Sequence, residues 1–510
     1  MLAVSTKPAS HSVTLVNERA TERLAVDLAM VLKPGDLITL SGDLGAGKTA
    51  FARALIRHLA DDPAMEVPSP TFTLVQTYAL PRLTVVHVDL YRVAHQGELA
   101  ELGVDEAAEN ALVLLEWPDR AAGALPADRL DIAFALAPNL GPNQRQAELT
   151  AHGGFAPRLE RFLAIRQFLA AEGLSEAQRT HLQGDASTRA YERITHEGRK
   201  LILMNAPRRP DGPPVRGGMP YSAIAHLAED VRPFVAMARA LRDRGLSAPQ
   251  VYAANLGEGL LLLEDLGSEP LIGGDPPAPI EERYAAAVDV LVEIHRQQVA
   301  FTLPVAPRVD HTLPPYDIDA FLVEAELLLD WYIPYRGKAV TDAARNEFIA
   351  LWRDALAYAG TVTPTWVLRD FHSPNLLWLP EREGVKRVGL LDFQDALMGP
   401  APYDLASLLQ DARVDVPDAM EIALIGRYVK ARLSADPDFA STAFVELYVT
   451  LGAQRATKIL GIFARLDKRD GKPQYLRHLP RIWRYLRRSL FHPSMSELKA
   501  WYDAHVPPPQ

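Results

Sequence analysis

Residues Gly42-Asp43-Leu44-Gly45-Ala46-Gly47-Lys48-Thr49 place glycine, lysine and threonine at the spacing G-x-x-x-x-G-K-[ST], which is chemistry for holding phosphate. Glycines let successive backbone N–H groups wrap the phosphates, and the helix that follows adds a favourable dipole. In such a loop Lys48 reaches the β- and γ-phosphates of ATP and the Thr49 hydroxyl ligates Mg2+. Two acids stand at the ends of apolar runs, Asp89 in His-Val-Asp-Leu-Tyr-Arg and Glu116 in Leu-Leu-Glu-Trp-Pro. The C-terminal edge of a strand is where α/β sheets bind ligands, so each is a candidate to hold Mg2+ or position water.

A second constellation lies between residues 366 and 395. Asp370 precedes Asn375 by five positions, and Asp392 follows the apolar run Gly-Leu-Leu. That is a phosphoryl-transfer arrangement. Asp370 is the candidate to accept the proton of an attacking hydroxyl, and Asn375 and Asp392 the candidates to hold Mg2+ against ATP, where developing charge must be neutralised. The small residues of Gly-Asp-Ala-Ser187-Thr-Arg189-Ala-Tyr suit a turn that covers ATP phosphates. Arg189 reads equally as a phosphate contact or as a solvated hairpin charge.

Positioning the first set requires a strand–loop–helix unit, and the pattern supplies one. Strands are expected at 12–16, 36–40, 71–78, 83–89 and 111–117, with helices at 18–32, 49–59 and 98–110. Strands at 130–136 and 146–150 flank the turn-rich segment 138–142 and close an α/β sheet domain over residues 1–158. A helix at 156–171 leads into a different pattern: strand, turn and strand over 182–204, a strand at 259–265, then long helices broken by a strand at 385–392. A small β-rich lobe before a large helical lobe is a kinase-like α+β layout, assigned to residues 159–510. The Pro/Gly-rich stretches 207–220 and 267–280 are expected loops.

A chain of 510 residues exceeds a single core. Its net charge of -10 argues against a chain built to coat nucleic acid. The absence of cysteine excludes disulfides, thiolate metal sites and cysteine catalysis. No apolar run reads as a signal peptide or bilayer span, so a cytoplasmic enzyme with no membrane partner is expected.

The motifs GDLGAGKT, VPSPTFTLVQTY, HVDLYR, ELGVDE and LLEWPDR resemble, in this order, the TsaE family, the ATPase subunit of the bacterial machinery that makes threonylcarbamoyladenosine in tRNA. The resemblance implies a P-loop NTPase domain in which Thr49, Asp89 and Glu116 surround Mg2+-ATP. It also implies Ser69-Pro70-Thr71 as a switch-like loop, Thr21 as a nucleotide contact, and docking on the threonylcarbamoyl-transferase complex; direct tRNA contact is not expected, because no basic stretch interleaves aromatics as a binding module would. GDASTRAY, LILMNAP, LLLLEDLG, LRDFHSPNLLW and LLDFQDALMGPAPYDLASLLQDAR resemble the aminoglycoside phosphotransferase superfamily, and within it the anomeric kinases for N-acetylmuramate and N-acetylglucosamine. This implies a bilobal fold and ATP-dependent phosphorylation of an amino sugar at its C1 hydroxyl.

The chain departs from the broader kinase pattern in three places. Met204 replaces the third-strand lysine, Leu368 the histidine two before the catalytic Asp, and Asn205 an Asp. Arg189 is the candidate to pair phosphate instead. These departures keep open a pseudokinase scaffold, and a choline, homoserine or aminoglycoside acceptor is a further alternative. The stretch 455–488 holds eleven Lys or Arg against Asp467 and Asp470 and is expected to be a solvated helix face. His295 is expected to be a core histidine.

Overall fold

The computed structural model describes residues 9–93, 109–121, 125–137, 141, 143–182, 189–208 and 210–509. Ser187 and all but the last two residues of the expected helix at 98–110 lie outside them. The chain divides into two compact units, Met1–Gln183 with Tyr191–Lys200, and Gly184–Ala190 with Leu201–Gln510.

The first unit runs β1 (Ala9–Leu15), α1 (Glu18–Ala29), β2 (Leu37–Ser41), α2 (Lys48–Ala60), β3 (Val75–Ala79), β4 (Thr84–Asp89), β5 (Leu112–Glu116), β6 (Arg129–Leu136), β7 (Arg145–His152), α3 (Ala156–Ala171), β8 (Gln178–Leu182) and β9 (Ala190–His196). The first seven strands form one sheet in the order β1-β7-β6-β2-β5-β4-β3. Its centre is parallel: β2 lies between β6 and β5, and β5 beside β4. Every residue of β5 is buried, as expected of a strand covered on both faces. One face packs Leu24 and Leu28 of α1 with Phe51, Leu55 and Ile56 of α2 over Val85 and Leu114. Helix α1 starts where the Asn17 side chain accepts the Ala20 N–H at 2.9 Å.

The strand expected at 71–78 begins only at Val75. The chain first turns, with the Leu74 N–H donating to Pro70 O at 2.7 Å and Leu74 at φ +63. Phe72 is left 82% exposed, so the apolar run gains no burial that a strand would give it. Helix α3 packs Leu159 and Phe162 into the same core as α1 and α2, and Arg158 donates to Asp36 Oδ1 at 2.6 Å. Strand β8 went unrecognised in the sequence because its alternation is polar. Its Arg179 is 3% exposed and bonds Glu192 on β9 and Asp27 on α1 at 2.7 and 3.0 Å. The first unit therefore takes in α3, β8 and β9, beyond residue 158.

In the second unit β10 (Arg199–Asn205) precedes α4 (Arg232–Asp243), and β11 (Val251–Asn255) and β12 (Leu260–Glu264) follow. Both β10 and β11 pair antiparallel with β12. The helical part comprises α5 (Glu281–His295), α6 (Ile318–Ala325) and α7 (Asp342–Leu356), then α8 (Pro402–Leu409), α9 (Asp418–Ala435), α10 (Ser441–Asp470), α11 (Leu479–Leu490) and α12 (Ser496–His505). Between α7 and α8, β13 (Thr365–Val367) pairs with β16 (Leu397–Gly399), and β14 (Leu376–Trp378) with β15 (Val388–Leu390). The strand expected at 385–392 is thus three residues long. It follows a 3-10 turn and stops before Asp392, which has φ +55. These two antiparallel pairs carry the loops 368–375 and 391–396 between them. Among the described residues no helix is long and apolar enough to cross a membrane.

The 30-residue α10 forms the spine of this part, packing Leu451, Leu460 and Phe463 against Phe321, Leu328 and Tyr332. Contact is closest at Gly461, where an added Cβ would lie 2.3 Å from the Leu327 carbonyl carbon. Alanine normally favours a helix over glycine by about 1 kcal/mol, but here the overlap with backbone decides the sign. Gly461→Ala is expected to destabilise the second unit by about 1–3 kcal/mol, measured as a lower urea midpoint. An unchanged or raised midpoint would show that the two segments are not in contact there.

Candidate active sites

The phosphate loop of the first unit follows β2 and opens α2. Gly42 has φ +126, and a Cβ there would lie 2.1 Å from Phe134 O, so only glycine fits. Gly45 and Gly47 also have positive φ, at +78 and +115. Ala46 is buried and anchors the loop in the core, while Leu44 is 79% exposed. The Lys48 ammonium is buried beneath the loop, donating to Gly42 O and Asp43 O at 2.7 and 2.9 Å. Its Nζ lies 3.8 Å from the Trp117 ring centroid. Burial lowers its pKa, against the opposing fields of Glu116, Asp89 and Asp43.

Parallel pairing of β4 with β5 sets Asp89 directly opposite Glu116. The Thr49 hydroxyl donates to Glu116 Oε2 at 3.0 Å, and Asp89 Oδ2 accepts from Ser69 and Thr71 hydroxyls at 3.1 and 2.8 Å. Lys48, Thr49, Asp89, Glu116, Ser69 and Thr71 therefore gather at one sheet edge, with Pro70 between the two hydroxyl residues. Thr21 is buried in α1, which packs along α2. Sequence reading missed His87, which is fully buried with Nε2 3.0 Å from Glu116 Oε1. A histidine inside an otherwise apolar strand, two residues before Asp89, was the available signal.

In the second unit the segment 368–375 runs through strained backbone. Arg369 has φ +71, a region costly for a residue with a side chain. Three buried acids hold it there. Asp404 on α8 accepts the N–H groups of Leu368 and Arg369 at 2.6 and 2.9 Å. Asp411 accepts the N–H and hydroxyl of Ser373 at 2.9 and 2.6 Å. Glu324 on α6 pairs with the Arg369 guanidinium and accepts from Lys458 on α10 at 2.8 Å.

The Asp370 side chain emerges from this clamp 39% exposed, with His372 Nε2 at 3.9 Å. Burial is the strongest single influence and works to raise its pKa, yet His372, Lys458, Arg369 and Arg455 together hold it below the usual carboxylate value. Asn375 Nδ2 donates to Asp370 O at 3.0 Å and reaches Asp392 Oδ2 at 3.5 Å. Burial and then Asp370 push the Asp392 carboxyl up, while Arg189, with Nη1 at 3.3 Å, opposes them. Asp370, Asn375 and Asp392 thus share one place, and Arg189 joins them. Met204 is buried on β10 opposite Leu261, and Leu368 is buried with its N–H on Asp404.

The basic stretch 455–488 is only in part the solvated face expected of it: Lys468, Arg469, Arg477 and Arg484 are exposed. Lys458 is buried against Glu324, and Arg455 is buried with Nη1 3.3 Å from Gln410 O. Arg481 and Arg484 pair with Asp415, Arg487 with Asp503, and Arg488 with Asp418 and Glu421. The charge of Arg455 and Lys458 is spent inside the unit, where α10 passes beside the segment 368–375. His295 is buried as expected, with Nδ1 2.9 Å from the Tyr428 hydroxyl.

Comparison with known proteins gives two family matches. Residues 15–146 match the family of threonylcarbamoyl adenosine biosynthesis protein TsaE, and residues 178–445 match the phosphotransferase enzyme family. An N-acetylmuramate/N-acetylglucosamine kinase of Caulobacter vibrioides is 41% identical over 364 residues, covering 68% of this chain and 97% of the relative. Its counterpart in Pseudomonas aeruginosa is 33% identical over 346 residues, 66% of this chain and 91% of the relative. The tRNA threonylcarbamoyladenosine biosynthesis protein TsaE of Rickettsia bellii is 39% identical over 127 residues, 25% of this chain and 88% of the relative.

The Glu324 clamp has a measurable signature. Burial opposes its charge, but Arg369 and Lys458 hold its pKa at about 2, below an ordinary 4.5. A depressed carboxyl stabilises the fold above its unfolded pKa, and that stability fades as pH falls from 4.5 toward 2. Glu324→Gln strands two buried cations and is expected to cost about 3–5 kcal/mol at pH 7. In urea unfolding the gap from the native chain narrows as pH drops below 4.5. Equal stability at pH 7 would contradict the clamp.

Proposed function

We propose, for a chain that belongs to the phosphotransferase enzyme family across residues 178–445 and to the TsaE family across residues 15–146, that it carries two separate ATP-using activities. The second unit phosphorylates the C1 hydroxyl of N-acetylmuramate or N-acetylglucosamine, the sugars in the names of its relatives. The first hydrolyses ATP in support of tRNA threonylcarbamoyladenosine synthesis, docked on the threonylcarbamoyl-transferase complex, and leaves acyl transfer to that complex. Both activities place the chain in the cytoplasm, and the sugar-1-phosphate product suits recycling of cell-wall sugar.

The observation that carries the kinase reading is the meeting of Asp370, Asn375 and Asp392 beside Arg189. Asp370, held as the carboxylate, accepts the proton of the attacking sugar hydroxyl. Asn375 and Asp392 supply oxygen donors, and the Arg189 guanidinium takes the phosphate-pairing task that buried Met204 cannot perform. A scaffold with no chemistry would leave the strained, thrice-clamped segment without a purpose.

In the first unit Lys48 trades the carbonyls of Gly42 and Asp43 for the ATP phosphates, guided by the N–H groups of the glycine-rich loop. Thr49, Asp89 and Glu116 would hold Mg2+, with Glu116 also placed to position water and His87 bonded to Glu116 Oε1 to orient that carboxylate. Ser69 and Thr71 bind Asp89 through their hydroxyls, which ties the switch-like loop to an acid that would hold the metal. Among the described residues no group of three or more His, Asp or Glu side chains forms a protein-only metal cage. Oxygen donors in ones and twos fit Mg2+, which keeps water and phosphate oxygens in its shell. Bound there, Mg2+ supplies neutralisation of charge on the phosphates.

Lys48→Ala is expected to abolish sugar-independent ATP hydrolysis and tRNA modification in a reconstituted system while sparing sugar phosphorylation. Asp370→Ala is expected to lower transfer of labelled phosphate from ATP to N-acetylmuramate by about 10²–10⁴-fold while sparing ATP hydrolysis by the first unit. Transfer to neither amino sugar would overturn the acceptor assignment. Transfer instead to choline, homoserine or an aminoglycoside would reassign it.

A further inference from the structure

Arg465 lies two turns of α10 beyond Lys458, about 10 Å along the same helix face. Its guanidinium carbon sits 5.3 Å from the Tyr221 ring centroid. The acids that follow it on the helix are matched, Asp467 with Lys468 and Asp470 with Arg469. Arg465 itself makes no hydrogen bond or ion pair among the described residues, although it is half-buried and burial lowers its pKa. Of its nitrogens only Nε is both buried and unbonded, so the terminal pair stand open to a ligand. The hydroxyl of half-buried Tyr221 also has no hydrogen bond among the described residues and is not a buried atom.

Tyr221 belongs to a segment tied to the phosphate-transfer centre at two points. Arg369, the residue before Asp370, donates from Nη1 to Ala225 O at 2.8 Å, and the Ala225 N–H closes a turn onto Tyr221 O at 2.8 Å. Three residues on, the Ala228 N–H donates to Asp395 Oδ1 at 2.6 Å, and Asp395 lies 3.9 Å from Arg189. Burial and then Glu324 raise the Tyr221 pKa, against Lys458, Arg369 and Arg465. Glu324 is outnumbered by those cations, so the field at this hydroxyl favours an anion. A partly desolvated guanidinium with no partner is costly, and a carboxylate matches its planar fork. Of the two sugars named above, N-acetylmuramate carries a carboxylate on the ether at C3, where N-acetylglucosamine has a hydroxyl. We propose that Arg465, with the Tyr221 hydroxyl, receives the carboxylate of N-acetylmuramate and sets the site's preference between the two sugars. This rests on the kinase reading of the second unit.

The test is steady-state transfer of phosphate from ATP by the full chain to each sugar. Arg465→Met is expected to raise the KM for N-acetylmuramate about 10–100-fold and to leave the KM for N-acetylglucosamine within about twofold. Arg465→Lys recovers part of the loss, because a point charge replaces the fork. Tyr221→Phe, which keeps the ring, raises the KM for N-acetylmuramate alone by about three- to tenfold; it decides the matter where Arg465→Met loses activity with both sugars. An equal rise for both sugars in Tyr221→Phe, no change in any variant, or a native chain that accepts N-acetylglucosamine and refuses N-acetylmuramate overturns the proposal. Failure of the kinase reading leaves a different mark, a native chain that phosphorylates neither sugar, and removes the proposal with it.

Discussion

Asp370 stands where it does because three buried acids hold the chain on either side of it. Positive φ at Arg369 is unfavourable for any residue with a Cβ, and an unclamped segment relaxes out of it. Asp404 and Asp411 fix the backbone through its own N–H groups, and Glu324 fixes the Arg369 side chain. Their elements, α6, α8 and the turn after α8, are packed by the apolar core around Phe321, Tyr403 and Leu451. Packing therefore reaches the segment of Asp370 through buried hydrogen bonds to its backbone and one buried ion pair. It also sets the electrostatics: the cations gathered for structure, Arg369 and Lys458, help keep Asp370 ionised.

The first unit meets the same demand by a different route. There the sheet does the positioning, since neighbouring parallel strands end together and set Asp89 across from Glu116. Lys48, desolvated beneath its loop, is satisfied by two backbone carbonyls that ATP can replace with phosphate. Thr49 and His87 hold the two oxygens of Glu116 from opposite directions. A site built from short, replaceable hydrogen bonds is ready for ligand exchange. The clamp around Asp370 is built from buried acids bonded to its backbone and from the paired charges of Glu324, Arg369 and Lys458.

Much of this was legible in the residues. The phosphate loop, the strand-ending acids and the Asp370–Asn375–Asp392 spacing depend on local sequence, and α3 was read at its observed bounds because its apolar period is regular. What escaped depended on distant partners. Strand β8 has no apolar alternation, and Arg179 is buried only because Asp27 and Glu192 come to it. The turn at 70–74 looks like strand by composition, and only the exposure of Phe72 explains why it is not. Lys458 and Arg455 read as surface charge until α10 turns them inward. The acids of the clamp lie about 35 to 45 positions from the residues they hold, a distance at which no local pattern speaks.

The central claim, that each unit brings its own oxygen-lined place for a metal and a triphosphate, is tested most directly by locating the metal. Crystals of the full chain grown with Mn2+ and a non-hydrolysable ATP analogue would show it by anomalous scattering. The account predicts one peak at bonding distance from Thr49 and a carboxylate of Asp89 or Glu116, and another at bonding distance from Asn375 and Asp392. Peaks away from both sets, with the analogue elsewhere, would contradict it.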